Sequence, residues 1–275
     1  MSEKKAEMSQ AAKEKLAPKN FIKNPIKGTK FTIMVSSAKG GVGKSTFAVN
    51  LAFTLKLLGK KVGLLDADIY GPSLPKLIGK NEKPENKDGK YIVPIDSHGV
   101  QCMSMGFLVE ETTPMIWRGP MVISAIKTLT ERVLWKELDI IVIDMPPGTG
   151  DTQLTFAQDI KVDGAIIIST PQDIALLDVK RGIQMFDKTK INIFGLVDNM
   201  SFFKADDGKN YNIFGEGGVE KTAKEFNKDF LGKIPLHQDL RISADKGSPL
   251  TLSNPNHEVS LVFKGIAEKI LQKLN

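Results

Sequence analysis

The chain predicts an α/β fold: a doubly wound, mostly parallel sheet with helices on both faces. Two observations carry this. Five short, uninterrupted apolar runs alternate along the chain with stretches of helical periodicity. Continuous runs, as opposed to alternating ones, suit parallel strands covered on both faces. A glycine-rich loop also lies between the first run and the first helical stretch. Strands alternating with helices in this way build right-handed βαβ units.

In chain order, the strand-like runs are residues 31–36, 62–66, 140–144, 165–169 and 194–198, with 231–234 as a shorter sixth. Helical patterns fill 45–58, 121–134, 174–186, 219–226 and 258–274. Residues 91–107 differ, because two short β-like stretches flank Asp96-Ser97-His98-Gly99, and this predicts a hairpin insertion. No internal repeat is visible, and motif-like segments spread from residue 36 to residue 249, so residues 29–275 read as one domain. Residues 1–28 are rich in Lys, Glu, Ala and Asn and are broken by Pro18 and Pro25; they read as a basic, flexible tail.

Charge and cysteine content exclude several function classes. The net charge is +6, but eight lysines and three glutamates among residues 1–30 supply +5 of it, leaving the remainder of the chain near neutral. The basic balance therefore belongs to the tail, and the folded surface is not a basic nucleic-acid platform. Cys102 is the one cysteine, which excludes an intrachain disulfide scaffold. No apolar run approaches the roughly 20 residues that cross a bilayer. The N-terminal lysines are not followed by an apolar segment of the secretory type, so the expected compartment is the cytoplasm.

The chemistry concentrates in Ala38-Lys39-Gly40-Gly41-Val42-Gly43-Lys44-Ser45-Thr46. Glycines here let the backbone curl until successive N–H groups point inward at phosphate oxygens, and the following helix adds its positive end. In this P-loop spacing Lys44 reaches the β- and γ-phosphates and the Ser45 hydroxyl ligates Mg²⁺; Ala38 stands where the first glycine usually stands. Two aspartates, Asp66 and Asp68, follow the second strand, and Asp144 closes the third in Ile143-Asp144-Met145-Pro146-Pro147-Gly148. Carboxylates at the carboxyl ends of parallel strands face the ligand crevice. There they orient an attacking water or hold Mg²⁺ through its water shell.

These segments resemble the Mrp/ApbC-type P-loop ATPases, carriers of iron–sulfur clusters in the deviant Walker A class that includes MinD, ParA and the nitrogenase iron protein. The resemblance continues through Trp117-Arg118-Gly119-Pro120-Met121, Pro171-Gln172-Asp173, Asn199-Met200-Ser201 and Gly232-Lys233-Ile234-Pro235-Leu236. It implies a homodimer with ATP and Mg²⁺ at the interface and slow ATP hydrolysis, with Lys39 touching the phosphates held by the facing subunit. It further implies that Asp68 positions the hydrolytic water, that Asp66 and Asp144 support Mg²⁺, and that Asn199 contacts adenine. A 4Fe-4S cluster as cargo and apo iron–sulfur proteins as clients follow from the same likeness, with no nucleic-acid or membrane partner expected.

The sequence departs from the family at one telling place. The family's C-x-x-C pair follows Asn-Met-Ser-x-Phe, whereas here the segment reads Phe203-Lys204-Ala205-Asp206-Asp207-Gly208-Lys209. Asp206 and Asp207 are oxygen donors, poorly suited to iron–sulfur ligation, and read as solvated turn residues. Cys102 lies in an apparent strand and reads as core, while His98, His237 and His257 are too far apart in sequence to announce a metal site. Two other functions stay open: an ATP-gated dimeric scaffold without a cluster, and a positioning ATPase of the MinD or ParA kind. The latter draws on the basic tail and on the lysine-bearing amphipathic stretch 263–274, although that stretch joins the domain without a flexible linker and reads first as a helix packed on the sheet.

Overall fold

Side chains alternate across a strand, so each apolar run divides its residues between two layers. In a computed structural model, which describes residues 23–109, 119–148, 150–205 and 207–274, this division organises the molecule. The elements run β1 (Thr29–Ser36), α1 (Lys44–Leu57), β2 (Val62–Asp66), α2 (Leu74–Ile78), β3 (Asn86–Lys87), β4 (Tyr91–Ile92), β5 (Ile95–Ser97) and β6 (Val100–Ser104). They continue with α3 (Gly119–Glu131), β7 (Leu138–Asp144), α4 (Asp151–Asp159), β8 (Gly164–Ser169), α5 (Asp173–Thr189) and β9 (Ile193–Lys204). The last are β10 (Asn210–Tyr211), α6 (Gly218–Glu225), β11 (Phe230–Leu236), α7 (Gln238–Asp245), α8 (Leu250–Ser253) and α9 (Glu258–Gln272).

The main sheet follows the order β10-β9-β8-β1-β7-β2-β6-β5, with β11 added parallel to β9. Its central pairs are parallel: β1 with β7 and β8, β2 with β6 and β7, and β8 with β9. Only β5 and β10 run antiparallel to their neighbours in this sheet. Ile33, Val35, Leu64 and Val142 point into one layer with Phe47, Phe53 and Phe263 of α1 and α9. Met34, Leu65, Ile141 and Ile143 point into the other, against Val122, Leu129, Phe156, Val179 and Phe186 of α3, α4 and α5. Each such side chain contributes about 1.5–3 kcal/mol on removal from water, so both faces are fixed and the register with them.

One expectation is extended and two are corrected. The hairpin expected within residues 91–107 is present as β5 and β6, paired antiparallel, and β6 also lies parallel along β2 and so joins the central sheet. The strand expected at 194–198 runs on to Lys204, because β10 and β11 supply partners for its polar end. Residues 23–28, grouped with the tail by composition, are tied to the domain. Asn24 bridges to Ile160, the Lys23 Nζ donates to the Thr189 carbonyl at 2.9 Å, and Ile26 is buried. Residues 1–22, Trp117, Arg118 and Asp206 lie outside the described residues, so the readings placed on them stay as sequence expectations.

The lysine-bearing C-terminal stretch forms α9 and packs. Phe263, Ile266 and Ile270 are buried, and the Phe263 ring lies 5.5 Å from that of Phe47. Its apolar face is thus occupied within the domain, which removes the motive for reading it as a membrane-surface helix.

Candidate nucleotide site

The strand β1 ends at Ser36, and the chain turns through residues 37–43 into α1. Gly41 and Gly43 take φ angles of 79° and 83°, in the left-handed region that side chains with a Cβ rarely adopt. Gly43 is doubly required, because a Cβ there would sit 2.3 Å from the Asn199 amide nitrogen. That amide donates to the Val42 carbonyl at 2.7 Å. β9 therefore clamps the loop from the side through Asn199, a buried residue well inside a strand and not at its end.

Lys44 opens α1 with only 6% of its side chain exposed, and its Nζ lies 2.5 Å from Asp144 Oδ1 at the end of β7. The same ammonium stands 3.3 Å from the Ser45 hydroxyl. Cation, hydroxyl and carboxylate thus converge at the mouth of the loop, beside the N-terminus of a 14-residue helix. Lys39 is exposed on the same loop, its carbonyl accepting from the Ser37 hydroxyl at 2.9 Å. Ala38 touches α5: a Cβ at Gly182 would lie 3.8 Å from the Ala38 Cβ.

Asp66 has a different surrounding from its neighbours. Its Oδ1 accepts from the Asp68 N–H at 3.0 Å, and its Oδ2 accepts from the Ser73 and Leu74 N–H groups and the Ser104 hydroxyl at 3.0, 3.1 and 3.0 Å. These four bonds make it the clasp of the loop that follows β2. Any part it takes in a metal shell goes through Oδ1, and the direct oxygen donors left for Mg²⁺ are Ser45 and Asp144, a set of hard ligands that fits that ion. Burial, and then the Asp144 charge, push Asp66 up to about 7, against the lowering effect of the Leu74 N–H and Lys44. Asp68 is half-buried and bonded only weakly, accepting from the Gly71 N–H at 3.3 Å. Burial raises its pKa and Lys44 partly offsets that.

A cavity of about 400 Å³ continues from the loop. Gly43 and Thr46 line it next to the loop, and Asn199, Met200, Pro235, Leu236, His237 and Leu240 are among the residues that line it further out. Apolar walls with a few polar groups suit a planar base. Sequence reasoning found Asn199 but missed the α7 wall. Pro235-Leu236 was the available signal, since it follows directly from a strand that ends at the crevice.

The thiol ligands of a cluster are not supplied by this chain. Cys102 is fully buried in β6, its Sγ 3.6 Å from the Val100 carbonyl, and burial pushes its pKa upward. The segment where the family's cysteine pair falls is the turn of the β9–β10 hairpin, where Asp207 accepts from the Lys209 N–H and the Tyr211 hydroxyl. By contrast, two histidines that looked scattered in sequence come together: the His237 and His257 rings stand edge to face at 4.7 Å.

Comparison with known proteins places this architecture. A family model described as the NUBPL iron-transfer P-loop NTPase matches residues 28–271. The chain is 48% identical over 251 residues to the iron–sulfur cluster carrier protein of Escherichia coli K12, covering 90% of this chain and 68% of that one. The chain belongs to the iron–sulfur cluster carrier family of P-loop NTPases. Within this carrier family it is also 47% identical to the mouse iron–sulfur cluster transfer protein NUBPL, over 91% of this chain and 79% of the relative. Among solved structures, a nucleotide-binding protein from Archaeoglobus fulgidus in complex with ADP superposes with a TM-score of 0.71. It has 39% identity over 80% of this chain and 87% of its own. The Pyrococcus furiosus cell division ATPase MinD, at 22% identity and TM-score 0.65 over 89% and 99% of the two chains, shows the same fold. The carrier family thus accounts for the P-loop site, and the β9–β10 hairpin of this chain holds no cysteine.

Proposed function

We propose that this member of the carrier family binds ATP with Mg²⁺ in the cradle of residues 38–46 and hydrolyses it slowly as a homodimer that serves iron–sulfur protein assembly. The observation that carries the reading is the convergence of Lys44, Ser45 and Asp144 at a loop whose backbone is locked by Asn199. Phosphate oxygens compete with Asp144 for Lys44; the Asp144 carboxylate and the Ser45 hydroxyl would hold the Mg²⁺, which would offset phosphate charge. Asp68 orients the attacking water, and the loop N–H groups together with Lys44 stabilise the charge that builds on the transferred phosphoryl group. The base enters the cavity between Asn199 and α7, whose apolar walls suit a planar ring, and the Archaeoglobus relative is a complex with ADP.

Dimerisation draws support from α5. Ile174 and Leu177 are 62% and 60% exposed on the helix that touches Ala38, and Lys39 is exposed on the same loop. Large exposed apolar side chains beside the site mark a surface made to be covered. In light scattering, ATP with Mg²⁺ should shift the protein from monomer to dimer mass, and Leu177→Asp should abolish the shift. A mass unchanged by ATP would remove the homodimer from this reading.

A second reading is favoured by the buried Cys102 and the thiol-free hairpin: an ATP-gated scaffold that docks clients without itself holding a cluster. Anaerobic reconstitution with iron and sulfide separates the two. A visible chromophore with stoichiometric iron supports a carried cluster, and its absence with an intact ATP-driven dimer supports the scaffold. The cytoplasmic setting belongs to the same proposal; no helix among the described residues is long and apolar enough to cross a membrane.

A further inference from the structure

Leu236 ends β11, and the next residue, His237, caps α7; twenty residues later His257 caps α9. Each ring accepts a backbone N–H at Nδ1, from Asp239 at 3.2 Å and from Val259 at 3.1 Å. The other nitrogens cross over. His257 Nε2 lies 3.2 Å from Asp239 Oδ2 in the first turn of α7, and His237 Nε2 lies 3.5 Å from Glu258 Oε1 in the first turn of α9. One donor atom each from His237, Asp239 and His257 falls within 4.8 Å of the other two. The His237 and His257 side chains are only 24% and 14% exposed, whereas Asp239 is open to solvent at 55%.

We propose that His237, His257 and Asp239 form a binding site for one divalent first-row transition metal ion, with Glu258 as a fourth ligand. Two imidazoles and a carboxylate suit zinc, cobalt or iron(II) and are a poor match for Mg²⁺, which prefers an all-oxygen shell. Metal–nitrogen bonds of about 2.0–2.1 Å place ligand atoms roughly 3.3 Å apart in a tetrahedron. The His257–Asp239 and His237–Glu258 separations already match this, and the His237, Asp239 and His257 donors, all within 4.8 Å of one another, draw closer on binding. The charge balance favours a dication, because Asp239 and Glu258 face the two rings and the one lysine paired with them is Lys204, 3.2 Å from Glu258 Oε2. Binding through Nε2 transfers the remaining ring proton to Nδ1 and releases the two capping bonds, which are weak beside metal–imidazole bonds.

The placement matters because His237 also lines the nucleotide cavity and Lys204 ends β9 at the hairpin. A metal at this site joins the base-binding wall to the β9–β10 hairpin. The ion is held by groups distinct from Ser45 and Asp144, and no cysteine takes part.

Cobalt(II) titration of the untagged full chain in excess Mg²⁺ tests the assignment, read by visible d–d absorption. One saturable Co²⁺ per chain is expected, displaced by Zn²⁺. Asp239→Asn and His257→Asn should each weaken it by about ten-fold or more. Asparagine is itself a good helix cap, so His257→Asn should keep the melting temperature while losing the metal, and Asp239→Asn is an isosteric change at an exposed first-turn position that keeps an oxygen facing His257. Absence of a saturable Co²⁺ site in the wild-type chain, or a site unaltered in both variants, would overturn the proposal and leave the histidines as helix caps alone.

Discussion

Single residues decide how the phosphate loop is held. Asn199 is the clearest case, because its one amide bond to the Val42 carbonyl fixes a loop whose glycines otherwise have freedom to spare. Replacing it with alanine removes a buried bond worth about 1 kcal/mol. Nucleotide affinity should then fall by roughly five-fold, measured by calorimetric titration, with the fold intact by circular dichroism. The neighbouring Asp198 points the other way and makes a separate prediction. It is buried, its Oδ1 has no hydrogen-bond partner among the described residues, and burial pushes it up to about 7 despite nearby Lys233. A folded-state value above the ordinary 3.8 means the native protein binds the proton more tightly than the unfolded chain does. Asp198 therefore stabilises most below about pH 4, and that contribution is lost as pH rises through 7. Asp198→Asn should melt several degrees higher than wild type at pH 8 and close to it at pH 4; equal differences at both pH values would contradict the assignment.

Elements differ in how openly the sequence declares them. Residues 31–36, 62–66 and 140–144 were legible because both faces of those strands are covered, so nearly all positions before the strand ends are apolar. The extension of β9 through Ser201–Lys204 was not, since that segment mixes polar and aromatic residues, is increasingly exposed, and owes its pairing to the two-residue β10 and to β11. α7, with eight residues, and α8, with four, are too short to show a reliable period, and the wall of the nucleotide cavity was hidden with them. The same distance hid the meeting of His237 and His257. The final helix was legible as amphipathic, and only its packing on α1 decided which of two partners its apolar face takes. Phe263→Ala should cost about 3–5 kcal/mol in chemical denaturation, because that ring is buried against Phe47 at the centre of one layer. A cost below 1 kcal/mol would mean that α9 is held elsewhere.

At the scale of the whole molecule, the fold brings the carboxyl ends of β1, β2 and β7 to one crevice. Lys44, Asp66, Asp68 and Asp144 meet there although nearly eighty residues separate the second strand from the third carboxylate. Cation, hydroxyl and carboxylates are therefore gathered at one crevice, whereas the lone thiol, Cys102, is buried and the β9–β10 turn is held by Asp207. This asymmetry puts the weight of the proposed function on the ATP cycle. The most direct measurement is parallel ATP binding and turnover in wild type, Lys44→Ala and Asp68→Asn. Lys44→Ala should lose tight binding, and Asp68→Asn should bind ATP as wild type does, hydrolyse it at least about a hundred-fold more slowly, and accumulate as a dimer. Wild-type turnover in Asp68→Asn, or tight ATP binding in Lys44→Ala, would contradict the proposed centre.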